Sequence, residues 1–318
     1  MNNLLYYNSK KYKMNNIYKD PIKEPIKEPI KEPIKEPIKE PINDFIKIYG
    51  IKNKSELRDP KIQFRYLCYK YLNHIQKYKI PEVYVDLNYE AVLVEFRCFP
   101  HIEFIIRNNI IKLGSDWSFS VVCGKLNFDF MTELCGKISK NIKIIKTNYN
   151  NLLPSDYSRF LASLDFWNLL VGEKIIIYQE DSIIFKNNIN DFIKWDYIGA
   201  PFPKNTNSTP NGVGNGGLSL RSKQTMIDVI NKISIEDTIV SKSVQNYMKR
   251  TNSYCNPEDI YFSQNMIEYN IGNIADWDSA YEFSSESICN PNSFGGHIFW
   301  ISDTNWRERF KKQILINI

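Results

Sequence analysis

Four short apolar runs alternate with segments of helical period between residues 91 and 178, and this alternation restricts the architectures open to the chain. Ala91-Val92-Leu93-Val94-Glu95-Phe96, Phe119-Ser120-Val121-Val122-Cys123, Ile142 to Ile145 and Lys174-Ile175-Ile176-Ile177-Tyr178 read as strands. Pro100 to Leu113 and Phe128 to Ser139 read as helices. Ser155 is placed to cap a third, running to Leu170 with Phe160, Leu161, Leu164, Trp167 and Leu170 inward. Strands separated by helices of this length predict parallel β-α-β units. The expected fold class is α/β, with a mostly parallel sheet flanked by helices. Ligands of such sheets gather at the carboxyl ends of the strands.

The segments before and after this core differ in texture. Pro-Ile-Lys-Glu repeats five times from Pro21 to Glu40. Proline every fourth residue removes backbone donors and forbids a regular helix. Residues 1–42 are therefore expected to be a disordered, extended tail, and removal of residues 1–41 is expected to leave thermal stability essentially unchanged. Residues 43–82 are expected to form a helical extension, with Phe64, Leu67, Cys68, Tyr71, Leu72 and Ile75 on one face. The main domain is expected over 83–318. Its second half is less regular. It contains a strand from Leu218 to Leu220, a helix capped by Ser222, and a helix opened by Pro257-Glu258-Asp259.

Composition narrows the function. The formal net charge is +5, from 41 basic and 36 acidic residues, but the first forty residues hold nine Lys against six acids. The remainder is nearly balanced, which argues against nucleic acid as the main partner. No apolar run reaches the roughly 20 residues of a membrane helix. The start has no apolar signal core, so a cytoplasmic location is expected. The six cysteines are dispersed without a C-x-x-C and are expected to be reduced and buried.

Four clusters can carry chemistry. Glu180-Asp181 follows an apolar strand, where a hard cation such as Mn²⁺ or Mg²⁺ and a diphosphate can meet oxygen ligands. A polar loop after a strand explains the same residues. His297 follows Gly295-Gly296 and is either a structural histidine or a metal ligand completing a distant carboxylate. Glu258-Asp259 either stabilises a helix dipole or supplies a general base. The run Asn211-Gly212-Val213-Gly214-Asn215-Gly216-Gly217 matches neither phosphate-binding glycine pattern. It is either a loop or a surface on which an acceptor lies against backbone.

Taken in order, several stretches resemble a glycosyltransferase-like domain family of unknown function, found in bacteria, fungi and large DNA viruses. They are Val94-Glu95-Phe96-Arg97, Phe166-Trp167, Gln179-Glu180-Asp181-Ser182, Asp196-Tyr197-Ile198-Gly199-Ala200-Pro201, Gly214-Asn215-Gly216-Gly217-Leu218-Ser219-Leu220-Arg221, Pro257-Glu258-Asp259 and Gly295-Gly296-His297. The wider group it resembles is the GT-A type of nucleotide-sugar glycosyltransferase. That resemblance implies a Rossmann-like sheet over residues 83–318 and a D-x-D metal motif after a central strand. It implies Asp181 and His297 as metal ligands for Mn²⁺ or Mg²⁺, and Asp259, or Glu258 beside it, as the base. Glu95, Arg97, Gln179 and Glu180 fall where such enzymes hold the nucleotide-sugar, a UDP-sugar in the first instance. Asn215, Gly216 and Gly217 fall on the acceptor side. The first D-x-D position is Gln179 rather than Asp, which leaves one carboxylate fewer for a cation.

The leading expectation is a metal-dependent, hexosyltransferase-like glycosyltransferase acting on a glycan, protein or lipid acceptor. A nucleotidyltransferase shares a similar sheet but needs a Gly-rich basic loop after the first strand, where this chain has Phe96-Arg97-Cys98-Phe99. A catalytically degenerate sugar-binding or scaffold protein is the third alternative.

Overall fold

The computed structural model describes residues 42–315; most of the segment read as a tail, including the Pro-Ile-Lys-Glu repeat, lies outside the described residues. The helical extension is three helices, not one: α1 (Ile42–Ile48), α2 (Pro60–Lys70) and α3 (Leu72–Ile75). The chain leaves α1 through Gly50 at φ 62°, a left-handed conformation that glycine adopts without a Cβ clash. Asp59 then caps α2 by accepting from the Lys61 amide at 2.8 Å, with Pro60 at the first helical position. The buried face of α2 and α3, Phe64, Cys68 and Ile75, joins the same core as Ala91 and Leu93. The extension is thus packed against the sheet layer and does not stand apart from it.

The α/β reading holds. Strand β1 (Tyr89–Val94), helix α4 (Ile102–Leu113), β2 (Trp117–Cys123), α5 (Phe128–Gly136) and β3 (Lys143–Lys146) follow one another. The expected long helix after β3 is broken into α6 (Pro154–Leu161) and α7 (Leu164–Asn168), followed by β4 (Lys174–Tyr178). Pro154 holds the first position of α6, so Ser155 is not its cap. The break falls at Ser163, whose hydroxyl accepts from the Phe166 amide and restarts the helix as α7.

Beyond β4 lie β5 (Ser182–Ile184), β6 (Tyr197–Ile198) and β7 (Leu218–Ser222). The main sheet has the order β3-β2-β1-β4-β7-β6. The first four strands are parallel, whereas β7 runs antiparallel to β4 and β6 antiparallel to β7. Alternate residues of β1 feed two cores. Ala91 and Leu93 pack with α2, α4 and α5; Val92 and Val94 pack with α6, α7, α8 (Lys223–Lys232) and, beyond α9 (Lys242–Thr251), with α10 (Glu258–Glu268). Burial on both faces is the usual state of parallel strands. Ser222 sits at the cap position of α8 but donates its hydroxyl to Asp196 at 2.5 Å and makes no cap bond.

The chain closes through α11 (Trp277–Phe283), β8 (Ser284–Ser285), β9 (Gly295–His297) and α12 (Trp306–Phe310). A second sheet has the order β5-β9-β8, with Ser182 opposite His297 in an antiparallel register. Of the cysteines, Cys68, Cys123, Cys135 and Cys255 are buried, whereas Cys98 is exposed and Cys289 half-buried, because the last two lie in connecting segments. Among the described residues no helix is long and apolar enough to cross a membrane.

Candidate active site

Glu95 leaves the carboxyl end of β1, Gln179-Glu180-Asp181 leaves that of β4, and Gly216-Gly217 leads into β7, whose Leu218 lies opposite Tyr178. All three segments therefore meet at one edge of the sheet. The acid turn is tied to the glycines by backbone. The Gly217 carbonyl accepts from the Gln179 amide at 3.1 Å and from the Ser182 hydroxyl at 2.6 Å.

The two acids of the turn share Lys61, 3.3 Å from Glu180 Oε1 and 2.6 Å from Asp181 Oδ2, but differ in their other partners. Glu180 is buried beneath α2 and α4. Its carboxylate accepts from Arg65 Nη2 at 2.5 Å and Nε at 3.1 Å, and from Arg97 Nη2 at 3.3 Å, while His101 Nε2 lies 3.0 Å from Oε2. Burial opposes its charge, but the bonds from His101 and Arg65 outweigh burial and hold it well below the usual carboxylate range. Glu95 is also buried. Its Oε1 accepts from the amides of Phe96 and Arg97 at 2.8 Å each, and the Arg97 guanidinium spans both of its oxygens at 2.7 Å. Glu95 and Glu180, both expected at the nucleotide-sugar, lie at the carboxyl ends of β1 and β4. Both carboxylates are engaged by the protein's own donors, and their effect is to hold Arg97 and Arg65 in place.

Asp181 faces the other way, toward β9. Lys61 Nζ lies 2.6 Å from its Oδ2, and His297 Nε2 lies 3.3 Å from its Oδ1. That second contact is an ion pair without hydrogen-bond alignment, so Oδ1 is a buried oxygen with no hydrogen-bond partner. The other imidazole nitrogen, Nδ1, lies 3.0 Å from Glu286 Oε2. Burial disfavours the imidazolium, but Glu286 and Asp181 on either side outweigh it and push the His297 pKa up to about 10. Burial likewise works against the Asp181 charge, and His297 and Lys61 overcome it, keeping that carboxyl far below its ordinary range. The register of the small sheet is what joins Asp181 to His297 across 116 positions of sequence. Immediately after it, the β-branched Ile298 is held at φ 36°, ψ 30°, a costly left-handed conformation of the kind found at functional sites.

The glycine turn separates this pair from α10. A Cβ on Gly217 would meet the His297 ring at 2.3 Å, and one on Gly216 would come within 2.6 Å of Glu258 Oε1 and 3.1 Å of Asp259 Cβ. Asp259 is half-buried, and its Oδ2 accepts from the Gly216 amide at 3.1 Å. Desolvation and the neighbouring Glu258 charge raise its pKa from the ordinary value to about 7. Glu258 does not point to solvent, as adjacent residues on a first helical turn would suggest. Its Oε1 lies 3.1 Å from Nη2 of the fully buried Arg221, which draws it to the same turn. Asn215, expected on the acceptor side, is buried, and its amide donates back to the Ala200 carbonyl at 3.3 Å. Gln179 is half-buried, with its side chain beside the buried Tyr157 hydroxyl, which makes no well-aligned hydrogen bond.

Sequence reasoning missed Lys61, Arg65, His101, Arg221 and Glu286. Lys61 and Arg65 are one helical turn apart and flank Phe64 of the buried face, a placement that would have brought them over the sheet. Glu286 carries no comparable signal.

The residues present fit a divalent cation in part. Asp181 Oδ1 has no hydrogen bond, His297 Nε2 faces it, and Glu286 orients the imidazole in the manner of a carboxylate behind a ligating histidine. Among the described residues no group of three or more His, Cys, Asp or Glu side chains forms a metal site, so further ligands would be phosphate oxygens and water.

A family model described as "Protein of unknown function (DUF5672)" matches residues 141–297, a span that contains Asp181, Gly216, Gly217, Asp259 and His297. No curated protein matches the chain. Among solved structures, the inositol-1-phosphate CTP transferase from T. maritima is similar at 10% identity, over 71% of this chain and 96% of that one, with a TM-score of 0.41. Mouse xyloside xylosyltransferase 1 in its apo form is similar at 11% identity, over 66% of this chain and 96% of that one, also with a TM-score of 0.41. A 4-diphosphocytidyl-2C-methyl-D-erythritol synthase from Anaerococcus prevotii is similar at 13% identity, over 57% and 97%, with a TM-score of 0.35.

Proposed function

We propose that the protein is a glycosyltransferase that moves a sugar from a nucleotide-sugar, in the first instance a UDP-sugar, to an acceptor hydroxyl. The observation that carries this reading is the arrangement around Gly216-Gly217. An acid–histidine pair suited to a diphosphate and its cation lies on one side, and a carboxylate with a near-neutral pKa lies on the other.

In this reading Asp259 takes the proton of the acceptor hydroxyl as its oxygen bonds to the anomeric carbon. The bond from that carbon to the diphosphate breaks, and its electron pair leaves on the phosphate oxygen. A base whose pKa lies near the working pH is well matched to this transfer. Gly216 lets the turn pack against Arg221, Glu258 and Asp259, since a Cβ there would come within 2.6 Å of Arg221 Nη2 and Glu258 Oε1, and so holds its amide on Asp259. Arg97, fixed through Nε and Nη2 by Glu95, keeps its Nη1 donors for a phosphate oxygen. Asp181 and His297, the latter on giving up its Nε2 proton, would hold Mn²⁺ or Mg²⁺, which when bound offsets charge on the leaving diphosphate.

The test is incubation with a panel of nucleotide-sugars and Mn²⁺, reading released nucleoside diphosphate with and without candidate acceptors. Release from one donor, lost on Asp259→Asn, supports the reading. Absence of both release and donor binding across the panel removes it.

A further inference from the structure

Charge at this edge of the sheet is layered. The side chains of Glu180 and Asp181 are 1% and 6% exposed, whereas those of Lys61 and Arg97 are 35% and 44% exposed. The acids form the floor and two cations form the rim. A ligand arriving from solvent therefore meets positive charge first, although the motif beneath is acidic.

We propose that Lys61 is a diphosphate-binding residue, placing its ammonium against the phosphate oxygens of the donor whether or not a divalent ion is present. This inference rests on the nucleotide-sugar reading and assigns a role to a helix outside the matched span of residues 141–297. The geometry supports it in three ways. First, the root of Lys61 is fixed. One turn later on α2, Arg65 clamps Glu180 through two nitrogens and lies 4.3 Å over the Phe99 ring, while Phe64 is wholly buried. Second, its tip is aimed. Nζ is held 2.6 Å from Asp181 Oδ2 and 3.3 Å from Glu180 Oε1. An ammonium has three N–H donors, so at least one remains for a ligand. Third, its position is shared. It grips the same carboxylate whose other oxygen faces His297, so Lys61 and a cation at Asp181–His297 would flank one diphosphate instead of competing for one oxygen.

The opposing reading is that Lys61 plugs Asp181 and must leave before ligand or metal binds. Calorimetric titration of the full chain with UDP, uridine and inorganic pyrophosphate, in EDTA and in Mn²⁺, separates the two. In EDTA, Lys61→Met should weaken UDP and pyrophosphate about tenfold or more, as expected for loss of a charge-assisted hydrogen bond. Uridine affinity should change less than about twofold, and Lys61→Arg, which keeps the charge, should retain most of the UDP affinity. Equal or tighter UDP binding by Lys61→Met overturns the assignment while leaving the nucleotide-sugar reading intact. Lys61-dependent binding of pyrophosphate, with no added affinity from the nucleoside, does the reverse. No binding of any probe by the unaltered chain overturns both.

Discussion

The imidazole of His297 packs directly over the α-carbon of Gly217, so closely that a methyl group at that carbon would stand 2.3 Å from its ring. The absence of a side chain at residue 217 is thus what lets the histidine reach Asp181. Gly217→Ala should push the ring off the acid. Overpacking of this kind typically costs about 1–3 kcal/mol. The expected result is a lower melting temperature together with loss of diphosphate release. A variant that keeps full activity would show that His297 need not sit there.

The two acids at the start of α10 should separate in their effects. Asp259→Asn should lower turnover by about 10²–10⁴, the usual contribution of a general base, with UDP affinity within a few fold. Glu258→Gln should act mainly on stability, because it weakens the partner of a fully buried Arg221. Urea midpoints and turnover measured on both variants check this. Full activity in Asp259→Asn with loss in Glu258→Gln would reverse the two roles.

The pH profile should carry the signature of Asp259. Its pKa is raised to about 7, so the folded chain keeps a proton that the unfolded chain releases near 4. Two consequences follow from the sign. Folding stability drawn from this group falls as pH rises from about 4 through about 7. Turnover should rise over the upper part of that window as the base loses its proton, with an apparent midpoint belonging to the Asp259–Glu258 pair. Turnover that is flat from pH 5.5 to 8 would contradict the assignment.

Glu180 should matter to folding more than to chemistry. Glu180→Gln keeps the shape but leaves Arg65 short of its main partner, a loss of about 3–5 kcal/mol for a buried pair. The depressed acidity of Glu180 contributes stability above the unfolded value of about 4.5, and that stability is lost as pH falls below it. The variant should therefore show a lower urea midpoint at pH 7 and a shallower acid limb. Unchanged unfolding curves would mean that the cation cluster contributes nothing to folding.

Periodicity made β1, β2, β4 and α4 readable, because each buries a continuous face and has ends marked by Pro, Gly or charge. The antiparallel direction of β7 was not readable, since the long irregular connection from β4 leaves strand direction open. The contact of β5 with β9 was equally hidden: three-residue strands have no period to detect, and only a resemblance paired Asp181 with His297. Lys61 and Arg65 were hidden for another reason. Their helix was visible, but which acids it would cover depends on how α2 packs, which one helical face does not specify.

Strand order bears on where this protein can be divided. Residues 141–297 include β3 and β4, but the two strands that stand between them, β1 and β2, precede residue 141. Excised on its own, that segment would leave β3 without a neighbour and one long edge of β4 unpaired, open to pairing with other chains. The motif-bearing half is therefore not an autonomous folding unit. A fragment starting at residue 141 should aggregate, whereas one that retains α1 to β2 keeps the sheet continuous.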